Sequence, residues 1–342
     1  MNPVRELARR RVLVTGAAGF IGSHVVVALE RAGWRVVGCD RLGRGEQWRY
    51  IAQCGLDDWI DPSGLLSWLD RCGETLDAVV HMGAISATTE RDVDALVASN
   101  VRLTLDLWER AASHDWRFVY ASSAATYGAG EQGFADRDDP EFLGSLRPLN
   151  AYGWSKHLVD RRICEDFTQG FAAPRVWAGL KFFNVYGPHE GHKGAMQSLV
   201  TKLIPVILAG DPIRLFRSHR PDFADGAQLR DFVYVRDAVA SIVNILELPA
   251  QAVLGGLFNI GTGQPRSFHD LALATCAALG RDPEIAFIPM PEAIRQQYQY
   301  YTCADVTKAR ACGVHSGCWS LEEGVTDHVR SLGLEQGDSG HG

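Results

Sequence analysis

The stretch Arg11-Val-Leu-Val-Thr-Gly-Ala-Ala-Gly-Phe-Ile-Gly22 decides the fold that this sequence predicts. It joins a short β-branched run to a turn that contains three glycines, and a helical stretch follows as far as Ala32. A second strand-like run, residues 34–39, ends at Asp40. A strand, a glycine turn, a helix and a second strand form a right-handed βαβ unit.

The glycine turn predicts a binding site for a dinucleotide. Gly16 permits the tight turn, Gly19 lets the backbone approach a pyrophosphate, and Gly22 lets the helix pack close to the strand. Free N–H groups at the start of the helix favour phosphate groups. We therefore expect these three glycines, with Phe20 and Ile21 between them, to line the cofactor.

The residues after the second strand leave the choice of cofactor open. Asp40 can accept hydrogen bonds from the hydroxyls of an adenosine ribose, which favours NAD. Arg41 and Arg44 follow it directly, and a guanidinium suits the 2′-phosphate of NADP.

Outward from this unit, strand-like and helix-like segments alternate. Strands are predicted at 77–81, 116–121 and 176–182, and helices at 92–114 and 151–167. Such alternation predicts an α/β fold with a Rossmann-type, doubly wound parallel sheet.

The second half of the chain predicts a smaller, discontinuous C-terminal lobe. We expect a dinucleotide-binding domain over 1–182, rejoined by about 232–262, and a substrate-binding lobe over 183–231 and 263–330. Residues 335–342 are polar and rich in glycine, and we expect them to be disordered.

Composition narrows the class of protein. The net charge of −7 gives no reason to expect nucleic acid or an anionic membrane as a partner. The sequence has no long apolar run and its N-terminus lacks the apolar core of a signal peptide, so we expect a cytoplasmic protein. None of the eight cysteines forms a C-x2-C pair, and no metal site is predicted.

A Tyr-x3-Lys pair, Tyr152 and Lys156, lies near the start of a predicted helix. This spacing places both side chains on one face, and a nearby ammonium stabilises a phenolate. Ser123 follows a predicted strand at the edge where α/β sheets bind ligands, and it can contact the same substrate oxygen. The alternative for this serine is a simple turn at the end of the strand.

The motifs TGAAGFIG at 15–22, SSAATYG at 122–128 and YGWSK at 152–156 resemble the extended short-chain dehydrogenase/reductase family, which acts on nucleotide sugars. The resemblance implies that Ser123, Tyr152 and Lys156 are catalytic and that Lys156 also holds the nicotinamide ribose. It also implies a set of residues that line the cofactor: Met82, Gly83, Ala84, Ile85, Ser86, Asn100, Val185 and Lys193.

The segment His192-Lys193-Gly194 resembles a loop of the ADP-L-glycero-D-manno-heptose 6-epimerases within that family. The segments 81–90, 229–237 and 288–306 resemble the same epimerases. This resemblance implies inversion at C6 of the heptose, with Tyr152 and Lys193 as two acid/base groups. The alternative for Lys193 is a surface or phosphate-binding lysine. The resemblance further implies NADP, with NAD accepted, a homo-oligomer, and a role in supplying lipopolysaccharide heptose.

The substrate contacts are expected in the C-terminal lobe. Arg230 is a candidate for the ADP phosphates, and its alternative is an ion pair with Asp231 or Asp237. Lys202 stands where many members carry a histidine, and Lys181 replaces a more usual arginine. Together with the resemblance, these considerations give the expected set Asn184, Ala195, Lys202, Phe216, Ser218, Arg230 and Tyr298, and the alternative for Tyr298 is a tyrosine that only packs.

Two other functions remain as alternatives. A UDP-hexose 4-epimerase or a dTDP-hexose 4,6-dehydratase would share the fold, although the segment SSAATYG lacks the Asp-Glu pair that elimination chemistry uses. A non-catalytic NAD(P)-binding sensor or scaffold would share it too, but such a protein needs none of Ser123, Tyr152 and Lys156.

Overall fold

The structure is a computed structural model that describes residues 10–295, 298–315 and 319–334. The C-terminal segment 335–342, predicted to be disordered, lies outside the described residues. The strands are β1 Arg11–Thr15, β2 Arg35–Cys39, β3 Asp58–Ile60, β4 Ala78–His81, β5 Arg117–Ser123, β6 Trp177–Phe182, β7 Asn184–Tyr186, β8 Ile213–Phe216, β9 Leu229–Arg230, β10 Phe232–Tyr234, β11 Leu257–Ile260, β12 Arg266–Ser267 and β13 Ile285–Ile288.

The helices begin with α1 directly after the glycine turn. They are α1 Phe20–Arg31, α2 Leu65–Cys72, α3 Val93–Leu96, α4 Leu103–His114, α5 Pro140–Ser145, α6 Ala151–Thr168, α7 Leu199–Ala209, α8 Val235–Leu246, α9 Phe268–Leu279, α10 Glu292–Arg295, α11 Thr307–Ala311 and α12 Leu321–Ser331. A π-helical segment, Val97–Arg102, joins α3 to α4, so the helix predicted over 92–114 is continuous but locally widened.

The central sheet has seven strands in the order β11-β6-β5-β4-β1-β2-β3, and its pairs are parallel. Strands β1, β4 and β6 are buried almost throughout, as expected for a sheet covered by helices on both faces. The predicted Rossmann-type doubly wound fold is confirmed. Strand β3 was not predicted, because it is short and only Ile60 in it is fully buried.

The segment predicted to return to the first domain does so in part. Strand β11 pairs with β6 at one edge of the main sheet, and α8 packs against α1. Strand β10 instead pairs with β7 in a separate two-stranded sheet. The division of the chain into two functional domains stays a prediction.

The segments predicted to form the C-terminal lobe contain short strand pairings and the helices α7 and α9. Strand β8 pairs in parallel with β13, and β9 pairs antiparallel with β12. Within the part of the chain that the structure describes, no helix is both long enough and apolar enough to cross a membrane.

The order in which strands are added to the sheet reverses at β1, since β2 and β3 lie on one side of it and β4, β5 and β6 on the other. In doubly wound sheets the crevice outside the carboxyl ends of the strands at such a reversal is where ligands bind. The loops that follow β1, β4 and β5 all open there.

Candidate active site

The glycine turn forms the floor of the site. Gly16 has a φ of +67°, and a Cβ on it would lie 2.7 Å from the amide nitrogen of Gly83. The Gly16 amide donates to the carbonyl of Cys39 at 2.8 Å. Only glycine therefore lets the ends of β1, β2 and β4 converge so closely.

Asp40 fixes this turn from the side. Its carboxylate accepts a hydrogen bond from the amide of Ala18 at 3.0 Å and one from the amide of Arg41 at 2.8 Å. The Arg41 side chain is exposed and does not line the cavity. Asp40 thus stabilises the loop that would receive the pyrophosphate.

A cavity of ≈ 540 Å³ opens above the turn. It gathers residues from the ends of β1, β2, β4, β5 and β6, from the start of α6 and from the loop before α7. Its lining is Gly16, Gly19, Phe20, Ile21, Gly22, Asp40, Gln47, Met82, Gly83, Ala84, Ile85, Ser86, Ala87, Ala121, Ser122, Ser123, Tyr152, Lys156, Phe182, Phe183, Val185, His192, Lys193 and Met196.

Asn100 supports the cavity without lining it. It is fully buried in the π-helical segment, and its side chain both accepts from the amide of Ile85 and donates to the Ile85 carbonyl, each at 2.9 Å. A further hydrogen bond joins it to the hydroxyl of Ser155 at 3.1 Å. Asn100 therefore holds the loop after β4 in place from behind.

Ser123 and Tyr152 meet at one wall of the cavity. The Ser123 hydroxyl accepts from the amide of Ala125 at 3.1 Å and is hydrogen-bonded to the Tyr152 side chain. Asn150 caps α6 by accepting from the amide of Gly153 at 2.8 Å, which fixes the first turn that carries Tyr152. Ser123 therefore makes the local turn contact and also faces the tyrosine.

Burial shapes the acidity of the Tyr-Lys pair. Burial lowers the pKa of Lys156 to about 8, while the nearby carboxylate of Asp160 opposes that shift. Burial raises the pKa of Tyr152, and its hydrogen bond with Ser123 acts in the opposite direction. Burial thus favours the protonated phenol, whereas the serine hydrogen bond favours the phenolate that can accept a proton from a substrate hydroxyl.

A buried polar network lies behind this pair. Lys181 and Asp160 are completely buried and form an ion pair of 3.0 Å. Asp160 also accepts from the hydroxyls of Tyr120 at 3.0 Å and Ser122 at 2.7 Å. Lys181 donates to Thr126 at 2.7 Å, so the lysine at this position acts as part of the scaffold and not as a ligand.

Lys193 lines the same cavity from the short helix Gly191–Met196. Its ammonium is 3.2 Å from the carboxylate of Glu190 and 4.7 Å from the ring centre of Phe20, at the start of α1. The four predicted catalytic residues thus line one cavity, although they come from β5, α6 and the loop before α7.

The predicted substrate residues lie outside this cavity, and several form a second cluster. The guanidinium of Arg230 lies 5.1 Å from the ring centre of Tyr298, and that ring makes an edge contact with Phe216. Ser218 is beside them, with its hydroxyl 3.5 Å from that of Tyr300. These four predicted residues are therefore neighbours in the lobe.

The buried side chain of Arg230 has no ion pair among the described residues. The alternative of a salt bridge with Asp231 or Asp237 is wrong, since Asp231 accepts from the amides around Thr262 and Asp237 accepts from that of Trp319. Burial lowers the pKa of Arg230, as expected for a cation without an anionic neighbour.

The other predicted substrate residues are dispersed. Lys202 donates to the carbonyl of Ala195 at 2.7 Å and so ties α7 to the end of the Lys193 loop. Asn184 is exposed at the start of β7, where its amide pairs with the carbonyl of Asp231.

Several lining residues were not predicted. Ser122 and His192 are direct neighbours of predicted residues within the motifs, so they could have been predicted from the same motifs. Gln47 comes from a short 3₁₀ helix, Gln47–Tyr50, that no local pattern announced. The remaining unpredicted residues are Ala87, Ala121, Phe182, Phe183 and Met196.

The described residues contain no group of three or more His, Cys, Asp or Glu side chains that could hold a metal ion. The cysteines among them are free thiols, and burial raises the pKa of Cys39 beneath the glycine turn to about 12. The predicted catalytic groups that line the described site are hydroxyls and amines, namely those of Ser123, Tyr152, Lys156 and Lys193.

Comparison with known proteins agrees with this geometry. Residues 12–261 match the model of the NAD dependent epimerase/dehydratase family. An ADP-L-glycero-D-manno-heptose-6-epimerase of Fusobacterium nucleatum is 42% identical over 329 residues, which cover 94% of this chain and 97% of that protein.

Solved structures show the same likeness. The crystal structure of the Helicobacter pylori ADP-L-glycero-D-manno-heptose-6-epimerase superposes with a TM-score of 0.74 at 26% identity, covering 95% of this chain and 96% of that one. The UDP-glucuronic acid 4-epimerase of Bacillus cereus, in complex with UDP-glucuronic acid and NAD, has a TM-score of 0.74 at 27% identity, covering 94% and 99%. The chain therefore belongs to the NAD dependent epimerase/dehydratase family of enzymes.

Proposed function

We propose that this enzyme inverts C6 of the heptose in ADP-D-glycero-D-manno-heptose to give ADP-L-glycero-D-manno-heptose. The observation that carries the proposal is the meeting of Ser123, Tyr152, Lys156 and Lys193 around one cavity above the glycine turn. The similarity to heptose epimerases over nearly the whole chain supports the choice of substrate.

The residues present fit a nicotinamide dinucleotide. The turn at Gly16 leaves no room for a Cβ, α1 begins beside it, and Asp40 holds the loop. Gly19, Phe20, Ile21 and Gly22 would hold the pyrophosphate, and Lys156 would hold the nicotinamide ribose. When bound, the nicotinamide supplies reversible two-electron oxidation and reduction at the sugar carbon.

Tyr152 exchanges the proton of the C6 hydroxyl on one face of the sugar. Ser123 donates to the same oxygen and fixes its position beside the phenol. Lys156, one helical turn further along α6, stabilises the phenolate through its ammonium. These three side chains lower the barrier by having the acid and the base in place before the reaction begins.

Lys193 serves the opposite face. Inversion requires the C6 ketone to turn within the site, so that the new hydroxyl forms away from Tyr152. A second proton carrier is then needed, and Lys193, which lines the cavity beside Phe20, supports this role. The ADP moiety would extend toward Arg230, whose buried guanidinium lies against the rings of Phe268 and Tyr298 without a carboxylate partner among the described residues and matches a phosphate.

We propose NADP as the preferred cofactor, with NAD accepted. The Asp40 carboxylate is already engaged by the amides of Ala18 and Arg41, while the side chains of Arg41 and Arg44 are available for a 2′-phosphate. We expect the double variant Arg41→Ala/Arg44→Ala to lose at least about tenfold in affinity for NADP. Its affinity for NAD should change little, as fluorescence titration of both cofactors would show.

The test of the reaction uses purified protein without added cofactor. It is incubated with ADP-D-glycero-D-manno-heptose, and the C6 epimers are separated by anion-exchange chromatography. Interconversion of these epimers, with UDP-glucose and dTDP-glucose left unchanged in parallel tubes, supports the proposal. Turnover of a hexose nucleotide instead, even after NADP or NAD is added, would leave the fold and redefine the substrate.

The roles of the two acid/base groups are separable. Lys193→Met is expected to lose at least about a hundredfold in kcat while it retains its cofactor. Full turnover by that variant would remove Lys193 from the mechanism.

We also propose that the protein forms a homo-oligomer. The helix that carries the catalytic tyrosine exposes two large apolar side chains, with Trp154 40% and Leu158 36% exposed. Size-exclusion chromatography with light scattering decides this point, since a monomer at micromolar concentration would contradict it.

A further inference from the structure

The loop that carries Lys193 is organised around a buried carboxylate. Glu190 is 1% exposed, although glutamate is rarely buried without several partners. One oxygen, Oε1, accepts from the amide of Gly187 and from the hydroxyl of Thr201, both at 3.2 Å. The other, Oε2, accepts from the amide of Ser198 at 2.7 Å and from the Lys193 ammonium at 3.2 Å.

These partners come from both ends of the loop. Gly187 precedes it, Ser198 caps α7 after it, and Lys193 lies between them in the short helix Gly191–Met196. The carboxylate therefore closes the loop on itself and fixes the ammonium with the same oxygen. No other ion pair of Lys193 occurs among the described residues.

The neighbouring residue anchors the loop on the other side. His189 has a φ of +72°, a conformation that costs energy for a residue with a side chain. Its ring stacks between those of His24 and Tyr50, at centroid distances of 4.3 and 4.2 Å, and its Nδ1 is 2.9 Å from the hydroxyl of Ser23. This stack fixes the loop to α1, while the Lys193 ammonium contacts the Glu190 carboxylate and the Phe20 ring.

We propose that Glu190 is a positioning residue that holds the Lys193 ammonium at the wall of the active-site cavity. It touches neither substrate nor cofactor, because it does not line the cavity. In this role it acts through Lys193: its charge fixes the ammonium beside Phe20, where the turned ketone of the substrate would meet it. The inference rests on the function proposed above for Lys193.

The pair has the geometry that this role requires. The Lys193 side chain is 22% exposed and lines the cavity, while the Glu190 side chain is 0% exposed and therefore shielded from solvent. A flexible lysine stem loses much conformational freedom when it is fixed, and a rigid buried partner offsets that loss before the substrate arrives.

The first measurement needs no substrate. The purified protein is treated with a trace of acetic anhydride, and acetylation of Lys193 is compared with that of Lys308 by mass spectrometry. Lys308 is paired with Asp138 at 2.7 Å and does not line the cavity, so it serves as the internal reference. In Glu190→Gln we expect acetylation of Lys193 to rise about threefold, as for release of a lysine from an ion pair.

The second measurement is a double-mutant cycle on turnover of ADP-D-glycero-D-manno-heptose. Glu190→Gln keeps the size of the side chain and removes its charge, and we expect kcat to fall at least about tenfold with KM within about twofold. In the Lys193→Met background the same change should cost nothing further. Glu322→Gln is the control, since it removes the exposed partner of Arg266 and should leave kcat unchanged.

The outcomes separate the two proposals. Unchanged acetylation of Lys193, or a loss of kcat that multiplies with that of Lys193→Met, overturns the positioning role and assigns Glu190 to the stability of the loop. If the unmodified protein does not epimerise the heptose, the proposed function fails, and the acetylation result still decides whether Glu190 fixes Lys193.

Discussion

Two buried cations of this protein have opposite surroundings. Lys181 forms an ion pair with Asp160 at 3.0 Å, and both side chains are completely buried. Arg230 is buried against the rings of Phe268 and Tyr298, with no carboxylate partner among the described residues. A buried charge without a counter-ion is costly, so the first cation is satisfied by the fold and the second fits an anionic ligand.

Replacement of Arg230 should therefore separate binding from stability. In Arg230→Met we expect KM for the nucleotide sugar to rise at least about tenfold, because charge-assisted hydrogen bonds to the phosphates are lost. The free energy of unfolding should stay within about 1 kcal/mol, since an uncompensated buried charge is removed together with its ring contacts. Steady-state kinetics and urea denaturation measure the two quantities.

The matched control is Arg266, which faces Arg230 across the β9–β12 pair and is bonded to Asp270 and Glu322. Arg266→Met should leave KM unchanged. An equal rise of KM in both variants would mean that Arg230 acts through the lobe as a whole and not through a phosphate.

Replacement of Lys181 should have the opposite result. Lys181→Met leaves Asp160 buried without its cation, and we expect a loss of about 3 kcal/mol or more in the free energy of unfolding. The double variant Lys181→Met/Asp160→Asn should recover part of that loss, because the charge is removed while Tyr120 and Ser122 can still donate. Additive losses in the double variant would show that the pair contributes no coupling energy.

At the scale of elements, one close contact between α6 and the turn after β5 brings together Tyr152 and Ser123. Helix α6 approaches the turn after β5 so closely that a Cβ on Gly153 would lie 2.7 Å from the carbonyl oxygen of Ala125. That approach brings Tyr152 to Ser123. The glycine inside the motif YGWSK thus determines how the helix packs.

Gly153→Ala is expected to move the start of α6 away from β5 and to lower kcat by about tenfold or more, because Tyr152 and Ser123 separate. The control is Gly144→Ala in α5, where an added Cβ would meet nothing within 4 Å. That control should keep full activity and gain slightly in stability, as alanine favours a helix over glycine. Turnover assays and thermal melts distinguish them, and equal activity of both variants would contradict the prediction.

At the scale of the whole molecule, histidines are enclosed in neutral form. Burial is the main cause of the low pKa values of His81, at about 3, and of His157, His189 and His328, each at about 4. The pKa of Asp237 shifts in the opposite direction, since burial raises it to about 6.

These shifts predict lower stability in mild acid. Below pH 6.5 the histidines of the unfolded chain bind protons, whereas the buried histidines of the folded chain stay neutral. The free energy of unfolding therefore decreases as the pH falls from about 6.5 toward 4, by about 1.4 kcal/mol per pH unit for each histidine. Asp237 offsets part of this loss below pH 6, because its raised pKa makes the folded chain bind a proton more tightly than the unfolded chain. We expect a Tm at pH 5.5 at least about 3 °C below that at pH 7.5.

Calorimetry at the two pH values checks this prediction. The variant His81→Asn should show a smaller difference between them, because one of the enclosed groups no longer titrates. A Tm that is equal or higher at pH 5.5 would show that buried carboxylates dominate the pH dependence.

The sequence alone determined the framework of this enzyme. The strands, the glycine turn and α6 follow from patterns only a few residues long, because a βαβ unit repeats local preferences and short connections. For the same reason the positions of Ser123, Tyr152 and Lys156, each tied to the end of a strand or the first turn of a helix, could be predicted, and these residues do share one cavity.

Only the tertiary structure decided which distant side chains meet. Asp40 accepts a hydrogen bond from the amide of Ala18, and Gln47 lines the cavity from an unpredicted 3₁₀ helix. Glu190 is buried and forms an ion pair with Lys193. Arg230 and Tyr298 are in contact although they lie far apart in the sequence. Such contacts depend on how packed elements bring loops together, and no local pattern encodes the resulting geometry.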